Sequence, residues 1–299
     1  MKIVVTGSLG NISKPLTQLL VSKGHSVTVV STNPERKAEI ENLGAQPAIG
    51  TMEDVDFLSE TFKGADIVYA MEALNAGCFF DHNVDFIAAN TQIGKNYKEA
   101  FERSGVKRIV HLSSIGAHMS QGNGILAFHH NVESILKELP EDVSIKFMRP
   151  VAFYYNMYAF IPDIKAQGKI IQNYGGDQKE PWVSPLDIAE VIAEEIEKPF
   201  NGREIRYIAS EEIAPNEIAG ILGEAIGNNE LKWEIIPDEQ MLDNLIHTGM
   251  NPQTAKGFIE MNAAMNNGTL SEDYYAHQPA LGKIKVKDFA KEFAITYHQ

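Results

Sequence analysis

The chain has 299 residues, 44% hydrophobic and 22% charged, an ordinary balance for a globular protein with enough chain to bury roughly three quarters of its unfolded surface. A formal net charge of −14 disfavours direct contact with nucleic acid or with an anionic membrane surface. The lone Cys78 excludes an intrachain disulfide and a cysteine metal cluster; with no basic, apolar leader ahead of Ile3, the expectation is a cytoplasmic protein without a membrane span.

Residues 3–5 read as a strand that breaks at Thr6-Gly7 and passes through Gly10 into a helix over 14–23, with Gly24 after it. A strand feeding a glycine turn and a helix N-terminus makes an anion site. Unpaired amides and the positive end of the helix dipole converge there, and glycines let a pyrophosphate approach the backbone. Thr6, Gly7, Leu9, Gly10, Asn11 and Ile12 are therefore candidate dinucleotide contacts; a plain strand-to-helix turn is the alternative.

Strands over 26–30, 47–49, 66–70, 108–112 and 144–148 then alternate with helices over 34–43, 55–62, 84–104 and 132–139. This alternation predicts an α/β fold, a doubly wound parallel Rossmann sheet with right-handed crossovers. Past Pro150 the aromatics Phe153, Tyr154, Tyr155, Tyr158 and Phe160 crowd together. A helix over 187–197, a strand over 204–208 and a helix over 215–226 follow, and about 209–280 is helical, polar and Met-rich. The expected division is a Rossmann domain over 1–150, with 182–208 returning to it, and a smaller, mainly helical cap over 151–181 and 209–299.

The end of the second strand discriminates between nicotinamide cofactors. An acid there would bind a ribose 2′-hydroxyl and repel a 2′-phosphate, but the chain reads Ser31-Thr32-Asn33-Pro34-Glu35-Arg36-Lys37. Asn33 suits an N-cap and Pro34 the first helical position. Hydroxyls of Ser31 and Thr32 with the cations of Arg36 and Lys37 make a 2′-phosphate cradle, favouring NADP(H) over NAD(H). Arg36 and Lys37 on a solvated helix face are the alternative.

Taken with Thr6-Gly7-x-x-Gly10, the segments 105–114 (Gly-Val-Lys-Arg-Ile-Val-His-Leu-Ser-Ser), Met148-Arg149-Pro150 with Asn156, Trp182-Val183-x-x-x-Asp187-Ile188-Ala189, and Leu281-Gly282-Lys283-x-Lys285 run over nearly the whole chain. The chain thereby resembles the NmrA-like branch of the atypical short-chain dehydrogenase/reductase superfamily, which includes NADP-binding regulators and NADPH quinone reductases. The resemblance implies that Tyr69, Ala70, Met71, Glu72 and Ala73 lie along the dinucleotide. Pro150 is a further cofactor candidate, and Ser113 and Ser114 end the fifth strand, where ligands of open α/β sheets sit, so they are candidates to meet the nicotinamide ribose or substrate; a turn capped by hydroxyls is the alternative. Ser13 stands where the family's turn carries a third glycine; being small, it still permits close helix packing.

Dehydrogenases and epimerases of the superfamily use a Tyr-x-x-x-Lys pair, and no tyrosine here precedes a lysine by four positions. In its place stands Ala127-Phe128-His129-His130-Asn131-Val132-Glu133. The quinone-reductase relatives also carry a histidine four positions before a glutamate, so His129 is a candidate proton donor, with Ser114 a second catalytic candidate. A locally hydrogen-bonded histidine is the alternative for His129, and His111 reads as a satisfied core histidine. No metal site is expected. Phe153 and Tyr154, with Asn156, would line one wall of a slot for a small planar acceptor, and Phe79 and Phe80 the other; core packing explains the aromatics equally well.

Three functions fit these readings. One is an NADPH-dependent oxidoreductase that passes hydride to a quinone-like or other planar acceptor. The second is a non-catalytic NADP(H)-binding sensor acting through a protein partner, for which the Met-rich stretch 241–265 offers a surface. A nucleotide-sugar epimerase or dehydratase is the third and lacks its expected residues. A homodimer is compatible with all three.

Overall fold

In the computed structural model, which describes residues 1–74 and 76–299, the first half forms β1 (Lys2–Val5), α1 (Ser13–Ser22), β2 (Ser26–Ser31), α2 (Lys37–Asn42), β3 (Gln46–Ile49), α3 (Val55–Phe62), β4 (Ile67–Ala70), α4 (Phe86–Ser104), β5 (Arg108–Leu112), α5 (Ala127–Lys137) and β6 (Ser144–Pro150). The second half adds β7 (Ala152–Phe153), α6 (Ile161–Gln167), β8 (Lys169–Gln172), β9 (Glu180–Val183), α7 (Pro185–Glu197), β10 (Arg203–Ile208), β11 (Glu211–Ile213), α8 (Pro215–Ile226), β12 (Lys232–Ile235), α9 (Asp238–His247), α10 (Pro252–Asn266), α11 (Glu272–His277) and α12 (Val286–His298).

Seven strands make one parallel sheet in the order β10-β6-β5-β4-β1-β2-β3. The order reverses between β1 and β4, where Ile3 pairs with Ile67, and that switch point opens a crevice at the carboxyl ends of the strands. The doubly wound Rossmann sheet anticipated from the alternation is present. Both faces are covered, which is why strands such as Ile3-Val4-Val5 are apolar throughout. Leu16, Leu20, Ile188 and Ile192 fill one face, and Phe62, Tyr97, Phe101, Val132 and Leu136 the other.

Three local expectations need revision. The helix expected over 132–139 begins earlier, at Ala127, so His129 lies on α5. The helix expected over 34–43 is divided: the Asn33 side chain accepts from the Glu35 amide at 2.9 Å and forces a tight turn over Pro34–Arg36 before α2. The stretch 209–280 is not purely helical, because β11 pairs antiparallel with β9 and β12 pairs parallel with β8.

A third core lies under these small sheets, where Tyr154, Trp182, Ile218, Leu222, Trp233, Phe289 and Phe293 pack together. Two motifs far apart in the chain meet beside it. The buried Asp187 at the start of α7 accepts from the Ser210 hydroxyl at 2.5 Å and from the Ile284 amide at 3.1 Å. Lys285 Nζ donates to the Ser210 and Gly282 carbonyls at 2.6 and 2.9 Å. A Cβ at Gly282 would overlap the Asp187 carboxylate, so only glycine lets that loop close on the acid. No helix among the described residues is long and apolar enough to cross a membrane.

Glu180 shares a face of β9 with Trp182 and so turns toward the third core. It is 6% exposed, its Oε2 has no partner, and burial pushes its carboxyl up to about 7 from the ordinary 4.5. Between those values the folded chain binds the proton that the unfolded chain has released, so stability falls as pH rises through 7, by on the order of 3 kcal/mol. Thermal melts should show a midpoint that declines from about pH 5 to about pH 8 and a flatter profile in Glu180→Gln. Identical profiles for the two proteins would refute the assignment.

Candidate dinucleotide and reaction site

Thr6 knots the crevice together. Its amide donates to the Tyr69 carbonyl at 3.0 Å, its hydroxyl accepts from the Met71 amide at 2.9 Å, and its carbonyl accepts from the Ser13 hydroxyl at 2.8 Å. Ser13 in the third glycine's place thus fills a bonding role that glycine would leave empty. Gly7 follows at φ +80°, where a Cβ would stand 2.5 Å from Met71 Sδ and 2.7 Å from Ser13 Oγ. Ser8 continues in the left-handed region at φ 55°, an uncommon conformation for a residue with a side chain.

Gly10 and Asn11 are exposed and Leu9 is buried beneath them. Ile12 stands at the N-cap of α1 without a side-chain cap, and the amides of Asn11 and Ile12 make no hydrogen bond among the described residues. Donors and helix dipole therefore remain available for a phosphate group. These residues fit the pyrophosphate of a dinucleotide.

Beside the turn, the hydroxyls of Ser8 and Ser31 meet at 2.8 Å, and Arg36 Nη1 donates to Ser8 Oγ at 3.3 Å. The structure thus brings Ser31 and Arg36 together and adds Ser8, which the sequence reading left out. Thr32, Asn33 and Lys37 are exposed, and Asn33 is occupied in capping. Along β4, Tyr69 and Ala70 are fully buried and Met71 is half-buried. Burial pushes the Tyr69 phenol up, which keeps it neutral.

A buried ionic cluster occupies the carboxyl ends of β5 and β6. Ser113 donates to Glu133 Oε1 at 2.6 Å, and Arg149 grips both Glu133 oxygens, at 2.8 and 2.7 Å. Arg149 also donates to Tyr207 at 3.1 Å and to Asp273 on α11 at 2.9 Å, and Tyr207 donates to Asp273 at 2.6 Å. Burial alone would raise the Glu133 pKa, but Arg149, the Ser113 hydroxyl and Lys137 hold it at about 2. Glu133 is a fixed anion with no capacity left to act as a base. Ser114 beside it is half-buried, and Pro150 is buried with its carbonyl accepting from Ile115 at 2.9 Å.

His129 is half-buried, and its Nδ1 is shut off from solvent without a partner. Burial pushes its pKa down to about 4, against the pull of Glu72, so the imidazole is neutral near pH 7. His130 takes the local bond, Nδ1 to the Ala117 carbonyl at 3.0 Å. His111 is not fully satisfied. Its Nε2 lies 3.0 and 3.2 Å from the two oxygens of the buried Glu72, and its Nδ1 is unpaired.

Of the aromatics expected to line a slot, Tyr154 belongs to the core instead. Tyr154 is fully buried in the third core, its ring stacked on Phe289 at 5.7 Å; Tyr158 and Phe160 pack there too. Phe153 is half-buried against the sheet core, while Asn156 and Phe80 are exposed. Phe79 packs on Phe86 at 5.0 Å and on Phe258 of α10 at 5.5 Å. Asn251, missed from sequence, ties this loop to α10 by donating to the Asp81 and Val84 carbonyls at 3.0 and 3.2 Å. Tyr207 and Asp273 were missed as well. An arginine in the apolar run 144–150 (Ser-Ile-Lys-Phe-Met-Arg-Pro) was the one signal that buried acids had to lie nearby.

The profile of the NmrA-like family matches residues 1–289. The NAD(P)H azoreductase of Xenophilus azovorans is 21% identical over 87% of this chain and 86% of its own length. Among solved structures, an NADPH-dependent quinone oxidoreductase from Escherichia coli, complexed with NADPH, superposes with a TM-score of 0.80 at 16% identity, covering 97% of this chain and 99% of that one. A nucleoside-diphosphate-sugar epimerase from Staphylococcus aureus superposes with a TM-score of 0.78, also at 16% identity, over 97% and 100%. At such identities the structural likeness shows the fold, which serves more than one chemistry.

Removing one partner of the ionic cluster leaves a buried charge uncompensated. Arg149→Met should therefore lower unfolding stability by about 3–5 kcal/mol in chemical denaturation, and adding Glu133→Gln should recover much of that loss. Additive losses in the double variant would show that the two side chains do not form one buried pair.

Proposed function

The chain belongs to the NmrA-like family, and on that premise we propose that it is an NADPH-dependent oxidoreductase transferring hydride to a quinone-like or other planar acceptor. The observation that carries the reading is Arg36 held on the Ser8–Ser31 hydroxyl pair at the end of β2. A guanidinium and two hydroxyls at that place match a 2′-phosphate, and Ser31 and Thr32, where β2 ends, offer no carboxylate to a 2′-hydroxyl. When bound, the nicotinamide supplies the hydride.

What the chain's own residues supply is orientation. The uncapped start of α1 and the amides of Asn11 and Ile12 hold the phosphates, while Thr6 locks β4 against that turn. The Tyr-Lys pair of the superfamily's dehydrogenases and epimerases is missing from α5, which carries His129 and the immobilised Glu133. Alcohol or sugar oxidation by the usual proton exchange thus lacks its acid–base residue. A planar conjugated acceptor needs hydride and one proton, and azoreductase and quinone oxidoreductase relatives reduce acceptors of that kind.

The methionines that the sensor alternative would present to a partner are turned inward. Met241 and Met250 are buried, and Met261 and Met265 pack against the sheet core. Purified protein mixed with NADPH and menadione or an azo dye should oxidise NADPH with saturation kinetics, and NADPH binding without oxidation by any acceptor would favour the sensor. Arg36→Ala should weaken NADPH binding by roughly 10- to 100-fold and leave NADH nearly unchanged. Equal losses for both cofactors would reject the 2′-phosphate cradle.

A further inference from the structure

Strand β10 ends the seven-stranded sheet, paired with β6 alone. Its even-numbered residues turn their backbone groups toward β6. The Gly202 carbonyl accepts from the Ile145 amide at 2.7 Å, and the Ile208 carbonyl accepts from the Val151 amide at 3.1 Å. Arg203, Ile205 and Tyr207 therefore point their amides and carbonyls outward, where they meet no partner among the described residues. This open stretch is bounded at both ends. The chain enters the strand from Gly202, and beyond it the outward carbonyl of Ala209 accepts from the Gly282 amide at 2.8 Å. Ile205 stands at its centre and is 37% exposed.

An unpaired strand edge is a template for another strand, and the residues of this one complement themselves. Residues 203–207 read Arg-Glu-Ile-Arg-Tyr. Laid antiparallel on a second copy about a two-fold axis at Ile205, the edge sets Ile205 opposite Ile205 and Glu204 opposite Arg206, twice over. Ile205 then falls at a hydrogen-bonded position, as its outward amide and carbonyl require. Glu204 and Arg206 fall at the adjoining non-bonded position, where side chains approach most closely and unlike charges stabilise the pair. Moving the axis to Glu204 or to Arg206 would oppose like charges instead.

Both charges can be reached from outside, because they line an open depression of about 550 Å³. Arg206 uses Nη1 on Glu195, and Glu204 lies 3.8 Å from Lys146 Nζ, so each keeps capacity for a further partner. Apolar surface continues the edge. Leu281 is 48% exposed on the loop that bonds Ala209. The same two-fold brings Ala209 level with residue 201 of the second copy, next to Pro199 and Phe200. Such flanking contact adds to the short strand, since a stable interface needs about 800 Å² from each partner.

We propose that β10 is the contact surface for a second copy of this chain, the two edges pairing antiparallel about Ile205 with each Glu204 against the other copy's Arg206. Three strands separate β10 from β1 and the dinucleotide turn, so the assembly does not depend on the reaction assigned above.

Sedimentation equilibrium of the purified full chain at micromolar concentration reads the assembly directly. The wild type should sediment at twice the chain mass of 33.1 kDa. Glu204→Arg and Arg206→Glu each oppose like charges and should raise the dimer dissociation constant roughly 10- to 100-fold. Mixed in equal amounts, the two variants should associate again, because the mixed pair restores unlike charges at both positions. Ile205→Pro removes an outward amide and no bond to β6; it should give a monomer with unchanged circular dichroism, which guards against a charge variant that fails to fold. A monomeric wild type overturns the proposal and leaves the edge to a strand of another protein. Folded variants that dimerise as the wild type does, or a charge-swapped mixture that stays monomeric, overturn it as well.

Discussion

A guanidinium buried at the end of an interior strand must be paired, and that requirement organises the packing of α5 and α11 against the carboxyl ends of β5, β6 and β10. Arg149 is 2% exposed. The effective penalty for burying such an ion is several kcal/mol unless its donors are matched by acceptors. It finds Glu133 on α5, Tyr207 on β10 and Asp273 on α11. The bidentate grip fixes the rotation of α5 about its axis, and His129, one turn before Glu133, takes its position from that. The same grip removes Glu133 from the list of bases. One ion pair thus sets where α5, and the histidine it carries, stands.

The nucleotide side follows a different logic, built on backbone rather than charge. Thr6 uses its amide, carbonyl and hydroxyl to join the ends of β1 and β4 to the start of α1. The left-handed pair Gly7-Ser8 then aims the chain outward, so that α1 begins without a cap and with amides open. Ser8 in that strained conformation earns its place by reaching Ser31 and Arg36. A flexible glycine at the same position would bend as readily and contribute no hydroxyl.

How legible this was from sequence depended on how local the physics is. The strand–turn–helix at residues 3–23, the missing acid after β2 and the Asn33 cap are short-range patterns, and the structure shows the corresponding elements. The start of α5 was misplaced because 127–131 shows no clean apolar stripe, and its helicity comes from packing against α4. Side-chain pairs were the blind spot. Glu72 and His111 are 39 positions apart, and Arg149 and Asp273 are 124 apart; no periodicity in the chain announces such meetings. Aromatic crowding misled for a related reason: five rings in one segment suit a ligand slot and a core equally, and the small sheet formed with β9 and β11 turned Tyr154 inward.

The central claim is that the Gly7–Gly10 turn holds a dinucleotide, and calorimetric titration of NADPH into the wild type and into Gly10→Val tests it most directly. The account predicts saturable binding to the wild type, tighter than for NADH. In Gly10→Val it predicts loss of detectable binding with the thermal midpoint preserved, because Gly10 is exposed and its added side chain would stand in the path of the pyrophosphate. Undiminished binding in the folded variant, or no binding to the wild type, would contradict it.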